Sequence, residues 1–211
     1  FGTSNSAVAL PARAGGMRLV ELEPGFLTMP TAVFYRAENP AHAEPAREYG
    51  RAAIAAYVDG LDGRLMRSMK SILGSPLVEQ TTDVGGGRGV RYADVIAGYL
   101  RQLKRQAEAS AGTELRHVVL GRPVFFVDGE PERDAAAQAA LERAARQVGF
   151  QDVHFQYEPI AAALRDGKPA RTAIPADQAE AVRRLQLLTS KPVLYVCNVE
   201  EAAAHDGNAF S

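Results

Sequence analysis

Hydrophobic and polar positions change period along the chain, and the changes mark its elements. Residues 6–10 are short and apolar, Ala14, Gly15 and Gly16 signal a turn, and residues 17–22 alternate. That pattern predicts a β-hairpin. Residues 31–35 follow a Pro24-Gly25 turn and read as a third strand, giving an opening of three successive antiparallel strands. Residues 45–58 are rich in alanine and helix formers, and a helix is expected there. Residues 81–91, with Gly85-Gly-Gly87, read as a loop or hairpin turn. From 92 to 109, apolar residues fall at Val95, Ile96, Tyr99, Leu100, Leu103 and Ala107, which is helical spacing with a basic outer face. Residues 116–120 form a buried strand candidate. Residues 131–148 form a helix with proline in its first turn and Gly149 as its stop. Residues 153–157 give another strand, and the next helix starts at Pro159. This strand–helix–strand–helix order indicates an α/β layer. Two prolines and Asp166-Gly167 place a boundary within residues 165–176. A helix over 177–188 and a strand over 192–198 follow. No repeat of fixed period is visible.

Composition narrows the class. The chain has 211 residues, 46% hydrophobic and 23% charged, which suits a globular fold with a sizeable core. The net charge of -1 gives no general attraction to nucleic acid or anionic membrane. Cys197 is the sole cysteine, which excludes an intramolecular disulfide, and its apolar run predicts a buried, inert thiol. No apolar stretch approaches the ~18 residues that span a bilayer, and no basic region leads into an apolar core as in a signal peptide. A cytoplasmic protein is expected. The chain starts at Phe1, without Met, inside a strand-turn motif, so residues are expected to precede it.

Four short stretches carry the candidate chemistry. Gly2-Thr-Ser-Asn-Ser6 is a small-residue turn whose N–H groups and hydroxyls can approach phosphate, although an ordinary hairpin turn has the same composition. Lys70-Ser-Ile-Leu-Gly74, Val118-Val-Leu-Gly-Arg-Pro-Val124 and Glu158-Pro-Ile-Ala-Ala-Ala163 follow, the last preceded by Phe155-Gln-Tyr157. In this order they resemble the DnaK-type (seventy-kilodalton heat-shock) chaperone ATPases, and among them the YegD-like bacterial relatives. The resemblance covers residues 1–165. It implies an α/β fold, a ribonuclease-H-like lobe of the actin/heat-shock ATPase superfamily, here with a helical or loop insertion over residues 36–110. It also implies ATP or ADP with Mg2+ as cofactor. Gly2, Thr3, Ser4 and Asn5 would bind the nucleotide phosphates. Lys70 would stabilise charge developing at the γ-phosphate, and Glu158 would organise the metal-bound water network. The bland readings are a solvated lysine and an acid favoured by a helix N-terminus. An adenine nucleotide is the implied partner, with unfolded protein or a co-chaperone beyond it, and neither nucleic acid nor membrane.

Departures from the family qualify this. The aspartate that the family places before the position of Phe1 is not in the chain, nor are the second phosphate loop and second lobe. The site is therefore expected to be incomplete, with little turnover. Asp83-Val-Gly-Gly-Gly87 has the composition of that second loop but precedes Glu158 and lacks the following threonine pattern, so it reads as a turn. Residues 166–211 resemble the YchF (Obg-like) ATPases and read as an appended helix–strand element. Asn198 and Glu201 match that family's base-recognition motif, since an Asn side chain can both donate and accept at a purine edge. Its G-x-x-x-x-G-K-[ST] phosphate loop is absent from the sequence. His42, His117, His154 and His205 show no metal-ligand spacing, and no metal site is expected. Three readings stay open: an ATP-binding protein of the chaperone type, a non-catalytic α/β scaffold or interaction module, and an Obg-like ATPase fragment.

Overall fold

A computed structural model describes residues 1–12, 17–37, 46–85 and 87–158. The turn at residues 14–16 lies outside these. So do the helix from Pro159, the boundary at 165–176 and the elements of the tail, with Cys197, Asn198 and Glu201.

The opening hairpin forms over a shorter stretch than expected: β2 (Ala9–Pro11) pairs antiparallel with β3 (Met17–Leu19), while Ser6 and Ala7 belong to a separate strand. β1 (Asn5–Ala7) pairs with β4 (Thr28–Pro30), also antiparallel. The expected third strand is β5 (Ala32–Arg36), but it does not join this hairpin. It is the centre of a separate antiparallel sheet, between β6 (Arg47–Tyr49) and β7 (Gly63–Arg67). The reason lies in its two apolar faces. Alternate side chains point to opposite sides of a strand. Val33 and Tyr35 enter the main core, whereas Ala32 and Phe34 enter a smaller cluster with Ala53 and Ala56.

The helix expected over residues 45–58 begins only at Gly50, as α1 (Gly50–Val58), because Arg47–Tyr49 completes the edge of the β5 sheet. Gly50 turns the chain at φ 61°, and a Cβ there would meet the Glu23 carboxylate and Met29. Glu23 caps the helix from outside it: Oε1 accepts the Arg51 N–H at 2.7 Å.

β8 (Thr81–Asp83) and β9 (Gly89–Arg91) form the expected hairpin. The Asp83 carboxylate accepts the Gly85 N–H at 2.8 Å, so it serves its own turn. α2 (Tyr92–Ala111) buries Val95, Ile96, Tyr99, Leu100, Leu103 and Ala107, the stripe its spacing predicts, and ends at Gly112 with φ 70°. β10 (His117–Arg122), α3 (Pro131–Gln147) and β11 (Asp152–Tyr157) make a parallel β–α–β unit. α3 packs by small residues, Ala137, Ala140, Ala144 and Ala145, around Leu141. The described residues are thus mixed α/β with small sheets. Among them no helix is long and apolar enough to cross a membrane.

Candidate functional site

Lys70 is a polar residue in an apolar place. It lies in a single 3₁₀ turn, Met69–Ile72, beside fully buried Met69, and only 5% of it is exposed. The turn is entered through Ser68, whose φ of 54° lies in the left-handed region that side chains other than glycine avoid. A buried ammonium is costly unless its donors are matched. Nζ donates to the Phe1 carbonyl at 3.1 Å, to the Gly121 carbonyl at 3.2 Å and to the Glu158 carboxylate. An ammonium has three N–H donors, and all three are engaged.

These partners come from distant segments. Phe1 precedes the small-residue loop. Gly121 lies in β10, and Glu158 directly follows β11. A Cβ at Gly121 would stand 3.3 Å from Glu158 Cγ, so the glycine lets the glutamate lie across the strand. Parallel strands deliver both groups at their C-terminal ends, where open α/β sheets place ligands.

The loop that begins at Gly2 is pinned at both ends. Its N–H donates to Ser6 Oγ at 3.3 Å, and a Cβ on Gly2 would strike the Asn5 carbonyl oxygen at 2.1 Å. Ser6 is buried, with Oγ 2.9 Å from Thr31 Oγ1, and the Ser4 carbonyl accepts the Thr31 N–H at 2.9 Å. Tyr99 closes the back of this region. Its ring centroid is 5.9 Å from that of Phe1, and its hydroxyl donates to the Pro30 carbonyl at 3.0 Å. Burial pushes the Tyr99 phenol above its ordinary value. Thr3, Ser4 and Asn5 themselves are exposed.

The structure therefore brings Lys70, Glu158 and the start of the Gly2–Asn5 loop together. Two partners escape a reading of side chains, because the Phe1 and Gly121 carbonyls are backbone groups. A glycine inside a strand was the available signal for Gly121. The phosphate end of a nucleotide fits what is present: a glycine-dependent turn, exposed hydroxyls beside it and a lysine. The fit has a condition, because the lysine has no unused donor. Among the described residues, no group of three or more His, Cys, Asp or Glu side chains could hold a metal ion. His117 instead pairs with Asp152 across the strands, Nδ1 to Oδ2 at 2.7 Å.

No family model matches the chain. It is similar to curated proteins named chaperone protein HscA homolog. The one from Pseudomonas fluorescens (strain SBW25) is 30% identical over 185 residues, covering 79% of this chain and 27% of the relative. That of Laribacter hongkongensis (strain HLHK9) is 29% identical over 187 residues, and that of Aromatoleum aromaticum (strain DSM 19018 / LMG 30748 / EbN1) is 31% identical over 183, with the same coverage. The chain thus spans about a quarter of the length of the relatives it matches. They support the heat-shock chaperone resemblance and lend nothing to the narrower YegD-like likeness or to the YchF-like one.

Proposed function

We propose that this chain forms part of the nucleotide-binding region of a chaperone ATPase of the seventy-kilodalton heat-shock family, within a ribonuclease-H-like lobe. The observation that carries the proposal is Lys70. A lysine is buried at the C-terminal ends of two parallel strands, against a glutamate and beside a glycine turn, in a chain 30% identical to chaperones over 79% of its length. Mg-ATP, when bound, supplies the phosphoanhydride bond and the metal's charge. The chain's own residues would do the rest. Gly2 allows close approach of the loop, Thr3, Ser4 and Asn5 offer donors to phosphate oxygens, and Lys70 offers a positive charge at the terminal phosphate.

Lys70 can donate to phosphate only by exchanging one of its acceptors. Two are backbone carbonyls, that of Gly121 within β10 and that of Phe1 just ahead of the glycine turn. Glu158 is the one whose side chain is half exposed, at 49%. In this reading Glu158 holds and orients the ammonium, then yields it. The described residues provide one wall of a site, and we expect weak binding and little turnover from this chain. Unfolded protein or a co-chaperone remains the proposed partner of the longer assembly. The YegD-like likeness, carried by the same four stretches as the family resemblance, stays the narrower proposal.

Titration calorimetry of the 211-residue chain with Mg-ADP and Mg-ATP tests this. We expect binding that Lys70→Ala weakens at least about ten-fold, or ~1.4 kcal/mol. Glu158→Gln should preserve or strengthen binding, since it loosens the competitor for Lys70. Absence of heat at millimolar nucleotide, on a folded sample, would leave the non-catalytic scaffold as the reading.

A further inference from the structure

Arg122 is a second buried cation, 5% exposed, and it has no place in the chemistry just described. It ends β10, one residue after Gly121, and in the register of the pair it lies opposite Tyr157, one residue before Glu158. Gly121 is thus its neighbour along the chain, and Glu158 follows the residue that lies opposite it across the sheet.

Its guanidinium is held on every side. Nη2 pairs with Asp134 Oδ2 at 2.7 Å and donates to the Val124 carbonyl at 3.2 Å. Nε donates to the Pro123 carbonyl at 3.1 Å, and Nη1 donates to Gln138 Oε1. The guanidinium carbon lies 5.0 Å from the Phe126 ring centroid and 5.1 Å from that of Tyr157, both in cation–π range. Asp134 Oδ1 in turn accepts the Phe126 N–H at 2.6 Å. One planar fork therefore ties the end of β10, the loop after it, the first turns of α3 and the last residue of β11.

Replacing a buried ion pair by apolar side chains of similar volume is often neutral or stabilising, because the pair seldom outweighs its desolvation, so stability alone does not account for Arg122 and Asp134. What the fork adds is direction: five donors in a fixed plane hold several backbone segments in one relative arrangement. We infer that Arg122 is a positioning residue, fixing the ends of β10 and β11 so that the Gly121 carbonyl and the Glu158 carboxylate meet Lys70. Its relevance to nucleotide rests on the function proposed above; the arrangement itself does not.

Nitrogen-15 NMR of the lysine ammonium groups in the full chain tests the arrangement without nucleotide. The chain has few lysines, Lys70, Lys104, Lys168 and Lys191, and Lys70→Arg assigns the signal. In the unsubstituted chain the Lys70 ammonium should be resolved and slow to exchange. Arg122→Met should speed its exchange at least ten-fold or erase it, and Arg122→Lys, which restores charge without the fork, should not rescue it. Leu141→Ala is the control for lost stability alone: it empties a fully buried site on α3 and should leave the signal in place. Should Arg122→Met fail to fold, Gln138→Leu removes one arm of the network and should speed exchange by a smaller factor. An unchanged ammonium in a folded Arg122→Met chain overturns the inference, as does equal loss in Leu141→Ala. In a second arm, Arg122→Met should weaken Mg-ADP about ten-fold, and Lys70→Ala should not weaken it further when added. If the unsubstituted chain binds no nucleotide, the proposed function fails while ammonium exchange still decides the role of Arg122.

Discussion

Ser68 shows how much of the site is held by a single backbone torsion. Its φ of 54° costs about 1–2 kcal/mol for a residue with a Cβ. The conformation is held from behind, because the Ser68 carbonyl accepts both the Ser71 N–H at 3.0 Å and the Ser71 hydroxyl at 2.7 Å. Strain beside the buried Lys70 fits a position set by the surroundings and not by local preference. Ser68→Gly should leave stability within about 1 kcal/mol, since relief of strain offsets the added freedom of the unfolded chain. Ser68→Val should cost about 1–2 kcal/mol, because a β-branched residue disfavours this region more strongly. Urea unfolding of the two variants measures the difference, and equal midpoints would show that the left-handed turn is not strained.

At the scale of elements, α2 depends on its last turn. Glu108 pairs with Lys104 one turn earlier, at 2.8 Å, and its carboxylate accepts the N–H of Leu115, in the segment leading to β10, at 2.9 Å. The Leu115 N–H first, and Lys104 beside it, hold the Glu108 carboxyl below its ordinary value of 4.5. A depressed carboxyl contributes stability that is present above the unfolded value and is lost as pH falls through the lower folded value. Glu108→Gln should therefore be less stable than the unsubstituted chain near neutrality, and the gap should narrow below about pH 4.5. The pair is partly exposed, so the gap should be small, and salt should reduce it. Thermal melts across pH 3–7 would show it; a gap independent of pH would mean the contacts act by packing alone.

Across the whole described region, β5 separates two apolar clusters, and they should fail separately. Phe34 is fully buried in the smaller one against α1, whereas Val33 and Tyr35 face the core shared with α2 and α3. Phe34→Ala should cost about 3–5 kcal/mol as the site empties. The loss should appear first as faster amide exchange in Gly50–Val58, with α2 still protected, because local opening follows local packing. Simultaneous loss of protection in both helices would show that β5 couples the clusters into one cooperative unit.

The sequence by itself determined the elements whose signal is periodic or punctuated: the α2 stripe, α3 between Pro131 and Gly149, the β8–β9 turn and the strand–helix–strand order around α3. Spacing encodes these because one face of each is apolar. It determined the candidate Lys70 and Glu158 as well, through a resemblance carried by short motifs. Tertiary structure decided what periodicity does not record. Arg47–Tyr49 is a strand because β5 needs an edge partner, although alanines downstream favour helix. The partners of Lys70 are two carbonyls and a carboxylate drawn from residues 1, 121 and 158. Backbone carbonyls are the same in every residue, so only the path of the chain could choose which of them would meet a buried ammonium.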